Sequence, residues 1–305
     1  MKRFLDLAAS DFKNINKRDL LDSIIASEGR VLMSEVIPHL NPMLYQVSDA
    51  ELAAAMGADI ILLNMLDVNN PVIRGIPIEQ GPEAVAELKR LVGRPLGINL
   101  EPVSESIGLE LPELKFNEGR KATAENAIKA RDLGIKLILI TGNPGIGVGN
   151  AQIAKALKEI SAVVGDDIIL CAGKMHAACV LSEAGDNIIT KDDIDEFVRS
   201  GADVILIPAP GTVPGITLDI AKELIAYAHK LGAATLTSIG TSQEGAEPDT
   251  IREIALMCKM AGTDIHHIGD SGYLGMALPE NIKTYGTAIR GIRHTYIRMA
   301  RSVNR

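Results

Sequence analysis

The hydrophobic pattern of the chain is a repeated unit: a glycine, one or two linking residues, then a short apolar run. Val31–Val36 follows Gly29, Ile60–Met65 follows Gly57, Leu96–Leu100 follows Gly93 and Leu137–Ile140 follows Gly134. Ile168–Leu170 follows Gly165, Val204–Ile207 follows Gly201, Thr235–Thr237 follows Gly232 and Ile265–Ile268 follows Gly262. Successive glycines stand 28, 36, 41, 31, 36, 31 and 30 residues apart, each interval long enough for one strand, one helix and two loops. The apolar runs have the texture of parallel strands buried on both faces.

Helix signals fall between the runs. Ser48-Asp49-Ala50-Glu51 and Thr190 with Asp193 read as capping boxes, and Asn16 and Thr217 as N-caps. Helices are expected over Pro82–Leu91, over Thr123–Leu133, in a segment ending near Val164, and over a long closing stretch from about Pro279 to Ser302. Residues 4–27 carry Leu20, Leu21, Ile24 and Ile25 at helical spacing and predict an N-terminal helical layer. Alternating strands and helices demand a parallel sheet with right-handed crossovers. An open doubly wound sheet usually marks one phosphate loop, whereas nearly every strand here ends in a loop rich in glycine and polar residues. The fold expected is α/β, a single (β/α)8 TIM barrel over residues 1–305 with an N-terminal helical extension over 1–28.

Composition narrows the function classes. The chain has 305 residues, 47% hydrophobic and 23% charged, enough for a sizeable core. Aromatic residues are 3% and Trp is absent, so Ile, Leu, Val and Ala must do most of the packing. A net charge of −8 without a basic tract argues against nucleic acid or an anionic membrane surface as the partner. Cys171, Cys179 and Cys258 are odd in number and lack CxxC spacing, as suits a reducing compartment. The N-terminal apolar run is short and interrupted by Asp6, unlike a signal peptide, and no segment reaches the roughly 18 apolar residues of a membrane span. A cytoplasmic protein acting on a small molecule is expected. A homo-oligomer is open, since Tyr285, Ile289, Ile292, Tyr296 and Met299 form an apolar stripe on the closing helix; the same stripe can equally cover the barrel.

In a (β/α)8 barrel chemistry sits at the C-terminal ends of the strands. The residues there include Glu35, Asn64 with Asp67, Asn99 with Glu101, Thr141 with Asn143, Lys174 with His176, Thr212, Ser238, and His266, His267, Asp270 and Ser271. Glu35, Glu101, Lys174 and His266 are the catalytic candidates. Glu101 shares a strand face with Asn99, and Lys174 can form a Schiff base or bind an anion. Of the adjacent histidines one faces the barrel interior and the other a helix; His266 shares parity with Asp264 and Asp270 and is taken as the inward one. Asp67 and Glu101 are candidate metal ligands that leave room for Mg²⁺, and no nucleotide cofactor is expected. Gly240, Thr241, Ser242, Gly269, Ser271 and Gly272 combine bare amides with hydroxyls after strands seven and eight, where such barrels bind phosphate. Asp270 is out of character for that role. Asn99, Gly142 and Asn143 complete the candidate binding set.

Three resemblances bear on these residues. Gly269-Asp270-Ser271 after an apolar strand resembles the fourth motif of haloacid dehalogenase-like phosphatases, which implies a phosphohydrolase. That family's early DxD is matched only by Asp67-Val68-Asn69, without the second acid. Gly97-Ile98-Asn99-Leu100-Glu101-Pro102, Thr141-Gly142-Asn143-Pro144-Gly145 and His267-Ile268-Gly269-Asp270 look like an uncharacterised bacterial family of (β/α)8 proteins, which implies a fold and no established activity. The carboxylates after strands two and three are loosely similar to metal-binding positions of phosphoenolpyruvate mutase and isocitrate lyase-like barrels, though the lyase signature KKCGH is absent. Class I aldolases usually carry their lysine on strand six, which has none here. A site mixing carboxylates, a lysine and a possible metal fits lyase or isomerase chemistry on a small phosphorylated or carboxylated metabolite. A phosphohydrolase and a non-catalytic metabolite-binding barrel are the alternatives.

Overall fold

A computed structural model describes residues 2–103, 117–142, 147–177, 181 and 184–305. Eight parallel strands close into one barrel in sequence order: β1 Val31–Val36, β2 Ile60–Leu63, β3 Leu96–Leu100, β4 Leu137–Ile140, β5 Ile169–Ala172, β6 Val204–Pro208, β7 Ala234–Ile239 and β8 Ile265–Ile268. The ring closes where β1 pairs with β8, Met33 opposite His267.

The repeated glycines are helix ends. Gly93 (φ 56°) and Gly262 (φ 97°) take the left-handed conformation that stops a helix and turns the chain into the next strand. Gly165 departs from the pattern, remaining right-handed at φ −59°. The helix starts follow the caps: Asn16, Ser48, Thr123, Thr190 and Thr217 each accept a hydrogen bond from the backbone N–H three residues on. Ser10 and Asp11 lie inside a helix that begins after Ala8, whose N–H donates to the Asp11 carboxylate.

Two apolar layers result. One lies between the strands' outer faces and the helices and includes Leu32, Ile61, Ile98, Ile138, Leu170, Ile205 and Ile268. The other fills the barrel interior with Met33, Ile60, Leu62, Leu139, Cys171, Val204, Leu206, Leu236 and Ile265. Phe4, Leu7, Phe12, Leu20 and Ile24 of the N-terminal layer join this inner cluster. Their contact plugs the end where the strands begin, so only the C-terminal end of the interior is open for chemistry.

The closing helix Pro279–Ala300 is kinked at Gly291 (φ 76°). Tyr285 and Ile289, before the kink, are buried, while Ile292 and Tyr296, after it, are exposed. The predicted stripe is therefore split: its first half covers the barrel. Arg290 and Arg298 of this helix are buried and share one acid, Asp59, which is fully buried before β2. No helix among the described residues is long and apolar enough to cross a membrane.

Candidate active site

Alternation along the strands sends Glu35, Asn99, Ser238 and His267 into the barrel above the apolar interior layer. They meet around Glu35, which is 2% exposed. Asn99 Nδ2 donates to Glu35 Oε1 at 2.5 Å and lies 3.1 Å from Asn64 Oδ1. Asn64 Nδ2 donates in turn to Asp270 Oδ2 at 2.7 Å. Two amides thus tie a carboxylate of β1 to one after β8. On the other side of Glu35, His267 Nε2 lies 3.4 Å from Oε2, and His267 Nδ1 lies 2.7 Å from Ser238 Oγ. Ser238 Oγ is also 3.0 Å from Met175 Sδ.

This network borders a cavity of about 610 Å³, lined by Glu35, Asn64, Met175, His176, Thr212, Gly240, Thr241, Ser242, Glu244, Gly269, Asp270 and Gly272 among others. Burial pushes Glu35 well above the ordinary carboxylate range, the charge of Asp270 pushes it further, and the Asn99 hydrogen bond opposes both. Burial also raises Glu244, where its own backbone N–H opposes the shift and Asp270 adds to it. Gly269 separates these two acids. A Cβ there would press to 3.0 Å on Ile239 O and meet Glu244 Cδ and Glu35 Oε2 at ordinary contact distances of 3.6 and 3.7 Å, so the two carboxyls flank this glycine on one wall. Burial lowers His267 to about 3, leaving a neutral imidazole whose Nδ1 can accept from Ser238, while its Nε2, 3.4 Å from Glu35 Oε2, makes no hydrogen bond.

Several expectations are corrected. His266 does not face the interior: its Nε2 lies 3.0 Å from Gly29 O and its Nδ1 3.2 Å from Tyr285 Oη, between barrel and closing helix. The parity was anchored on Asp264, which lies outside β8 and accepts from Thr235 N and pairs with His229. Ile265, an interior residue, sets the phase, and His267 follows it inward. Glu101 forms an ion pair with Arg120 at 2.5 Å; burial raises its pKa and Arg120 opposes the rise. Asp67 accepts from Asn117 Nδ2 and Asn69 N, both at 2.8 Å, and so organises its loop. Neither lines the cavity, and among the described residues no three His, Cys, Asp or Glu side chains are gathered to hold a metal ion.

The glycine-rich loops do reach the cavity, but most of their amides are engaged. Gly240 N donates to Thr212 Oγ1, Gly269 N to Ile239 O and Gly272 N to Asp270 Oδ1. Thr241, Ser242 and Ser271 hold left-handed conformations (φ 57°, 69° and 56°), and such strain clusters at functional loops. Gly142 is required for packing, since a Cβ there would approach Val148 Cγ2 to 2.8 Å. Asn143 lies outside the described residues. Lys174 is 1% exposed and does not line the cavity, although its charge helps lower the neighbouring His176. Glu244 and His267 are the participants the sequence did not single out. Glu244 follows a loop that attracted attention for its glycines and hydroxyls, and nothing in its spacing signals burial.

The chain matches the profile of a domain of unknown function (DUF7916) over residues 5–305. It belongs to the DUF7916 family. No curated protein matches it. Among solved structures, an archaeal fructose-1,6-bisphosphate aldolase with its catalytic Lys bound to the carbinolamine intermediate is 15% identical, with a TM-score of 0.57. That match covers 90% of this DUF7916 chain and 100% of the aldolase. The ribulose-1,5-bisphosphate carboxylase/oxygenase of Pyrococcus horikoshii OT3 is 17% identical at a TM-score of 0.51, covering 88% of this chain and 60% of that one. An oxaloacetate acetylhydrolase matches at 11% identity and a TM-score of 0.49, covering 84% and 81%. At these identities the likeness to the first two is one of fold alone, and the third match carries no argument. The DUF7916 barrel is thus, at the level of fold, one that lyases such as the aldolase use. Its β6 carries no lysine, and Lys174 stands after β5 instead.

Proposed function

We propose that this DUF7916 protein is an enzyme of lyase or isomerase type in which Glu35 moves a proton to or from a small carboxylated metabolite. One observation carries the reading: a cavity-lining carboxyl, nearly fully buried, raised by burial and by Asp270, and held by a hydrogen bond from Asn99 with His267 alongside. A raised carboxyl is the usual equipment of a general acid and base that must work near neutrality. Phosphorylated substrates are disfavoured, because Glu35, Glu244 and Asp270 share the lining and a dianion would stand beside three acids. His176 lines the cavity and feels the charge of Lys174, and a substrate carboxylate would sit on that side. Asp67 and Glu101 would serve Mg²⁺ only after releasing Asn117 and Arg120, their present partners.

The test is turnover of a panel of small oxo- and hydroxy-acids, with phosphorylated counterparts, followed by NMR and mass balance. Glu35→Gln is expected to bind the same compound calorimetrically and to lose on the order of 10²–10⁴ in kcat, the usual worth of general acid–base catalysis. Turnover within tenfold of wild type in that variant would overturn the assignment. Binding without turnover in the wild type would favour a metabolite-binding barrel.

A further inference from the structure

A second cavity, of about 480 Å³, lies at the other end of the molecule, against the N-terminal layer. Its lining includes Lys13, Lys89, Arg90, Arg94 and Arg305, and no acidic residue. In a chain of net charge −8 this is a local reversal of sign. Arg90 is matched by Glu87 at 2.6 Å, and Arg94 donates to the carbonyls of Ala58, Gly93 and Arg298. Lys89 is different. It is half-buried, and among the described residues its ammonium makes no hydrogen bond or ion pair. Burial lowers its pKa and the charge of Lys136 lowers it further, with no carboxylate opposing either. Lys13, exposed on the same cavity, likewise has no ion-pair partner among the described residues. A desolvated ammonium held next to other cations is unfavourable unless an anion joins it.

The walls suit a compact ligand. Phe12, Leu133 and Val303 supply apolar contact, Ser10 and Asn304 supply neutral polar groups, and Gly93 keeps the backbone bare between Lys89 and Arg94. We infer that this cavity is a binding site for a small multivalent oxyanion, the phosphate group of a metabolite or inorganic phosphate, held by Lys89 and Lys13. It stands apart from the proposed active site and does not depend on that reading. An anion bound there would join the N-terminal layer (Ser10, Phe12, Lys13) to the helix Pro82–Val92, and would therefore steady the end of the barrel that the layer plugs.

Pyrophosphate and inorganic phosphate, titrated by calorimetry at fixed ionic strength against a chloride control, test the inference on the full chain. Saturable binding of pyrophosphate is expected, weakened roughly tenfold or more by Lys89→Met, the ratio one charge-assisted hydrogen bond is worth. Glu35→Gln, at the opposite end, should leave that binding unchanged. Lys13→Met, at an exposed position, serves as the second variant should Lys89→Met fail to fold, and should weaken binding in the same direction. A phosphate ester binding more tightly than pyrophosphate would identify a metabolite as the source, and equal affinities would identify the free anion; both support the site. Unchanged affinity in Lys89→Met and Lys13→Met, or no binding beyond the chloride control, would overturn it.

Discussion

Asp59→Asn probes how the closing helix is fastened to the barrel. Asp59 is fully buried, accepts from Leu32 N at 2.8 Å, and faces two guanidiniums: Arg290 and Arg298, whose Nε lies 2.7 Å away. Burial already lowers Arg298 to about 10, and the charge of Asp59 is the main opposing influence. The substitution keeps the shape and a carbonyl oxygen but removes the counter-charge from two cations that cannot reach water. Removing one partner of a buried pair costs about 3–5 kcal/mol. For 305 residues the unfolding entropy near the midpoint is about 0.6 kcal/mol/K, so Tm should fall by about 5–8 °C. The assay is calorimetric or circular-dichroism melting near pH 7, with urea midpoints for the free-energy change. Asp249→Asn, which removes an exposed i,i+3 pair with Arg252, is the control and should leave the transition in place. A fall in Tm of less than about 1 °C for Asp59→Asn would mean that the guanidiniums find their counter-charge elsewhere, and the reasoning would fail.

Three further outcomes concern the buried histidines, Glu35 and Gly97. His266 and His267 are both lowered to about 3, so their share of stability is present above the unfolded value near 6.5 and is lost as pH falls toward 3. Each should account for on the order of 5 kcal/mol across that window, and a urea midpoint that stays flat from pH 6.5 to 4 would contradict their burial. Glu35 has the opposite sign: its raised pKa stabilises the fold below the ordinary carboxylate range and is lost as pH rises through the raised value. Glu35→Gln should therefore be more stable than wild type at pH 8 and not at pH 4, which parallel melts will show. Gly97→Ala would set a methyl 2.9 Å from Leu62 Cδ1 and 3.2 Å from Leu137 Cδ2 in the interior layer. A loss of about 1–3 kcal/mol is expected in urea titration, and a neutral result would show that the interior can yield there.

The pattern of apolar runs and glycines was sufficient for the barrel, because helix caps and strand burial are local properties written in the residues that make them. Gly93 and Gly262 end helices wherever they occur, and Ser48 or Thr190 start them with the acid three residues on. Glu35 was legible for the same reason, as a polar residue near the end of an apolar strand. The choice between His266 and His267 was not. A strand buried on both faces shows no alternation of polarity, so its phase comes only from which neighbours it meets, Tyr285 on one side and Glu35 on the other. Loop chemistry was equally hidden. Gly240, Gly269 and Gly272 have the composition of an anion cradle, yet Thr212, Ile239 and Asp270 engage their amides once the strands close. The sequence by itself determined the layers and the end of the barrel that is open. Only the tertiary structure decided which acids share a wall and which charges, such as Lys89, are left facing a cavity, because those are contacts between residues far apart in the chain.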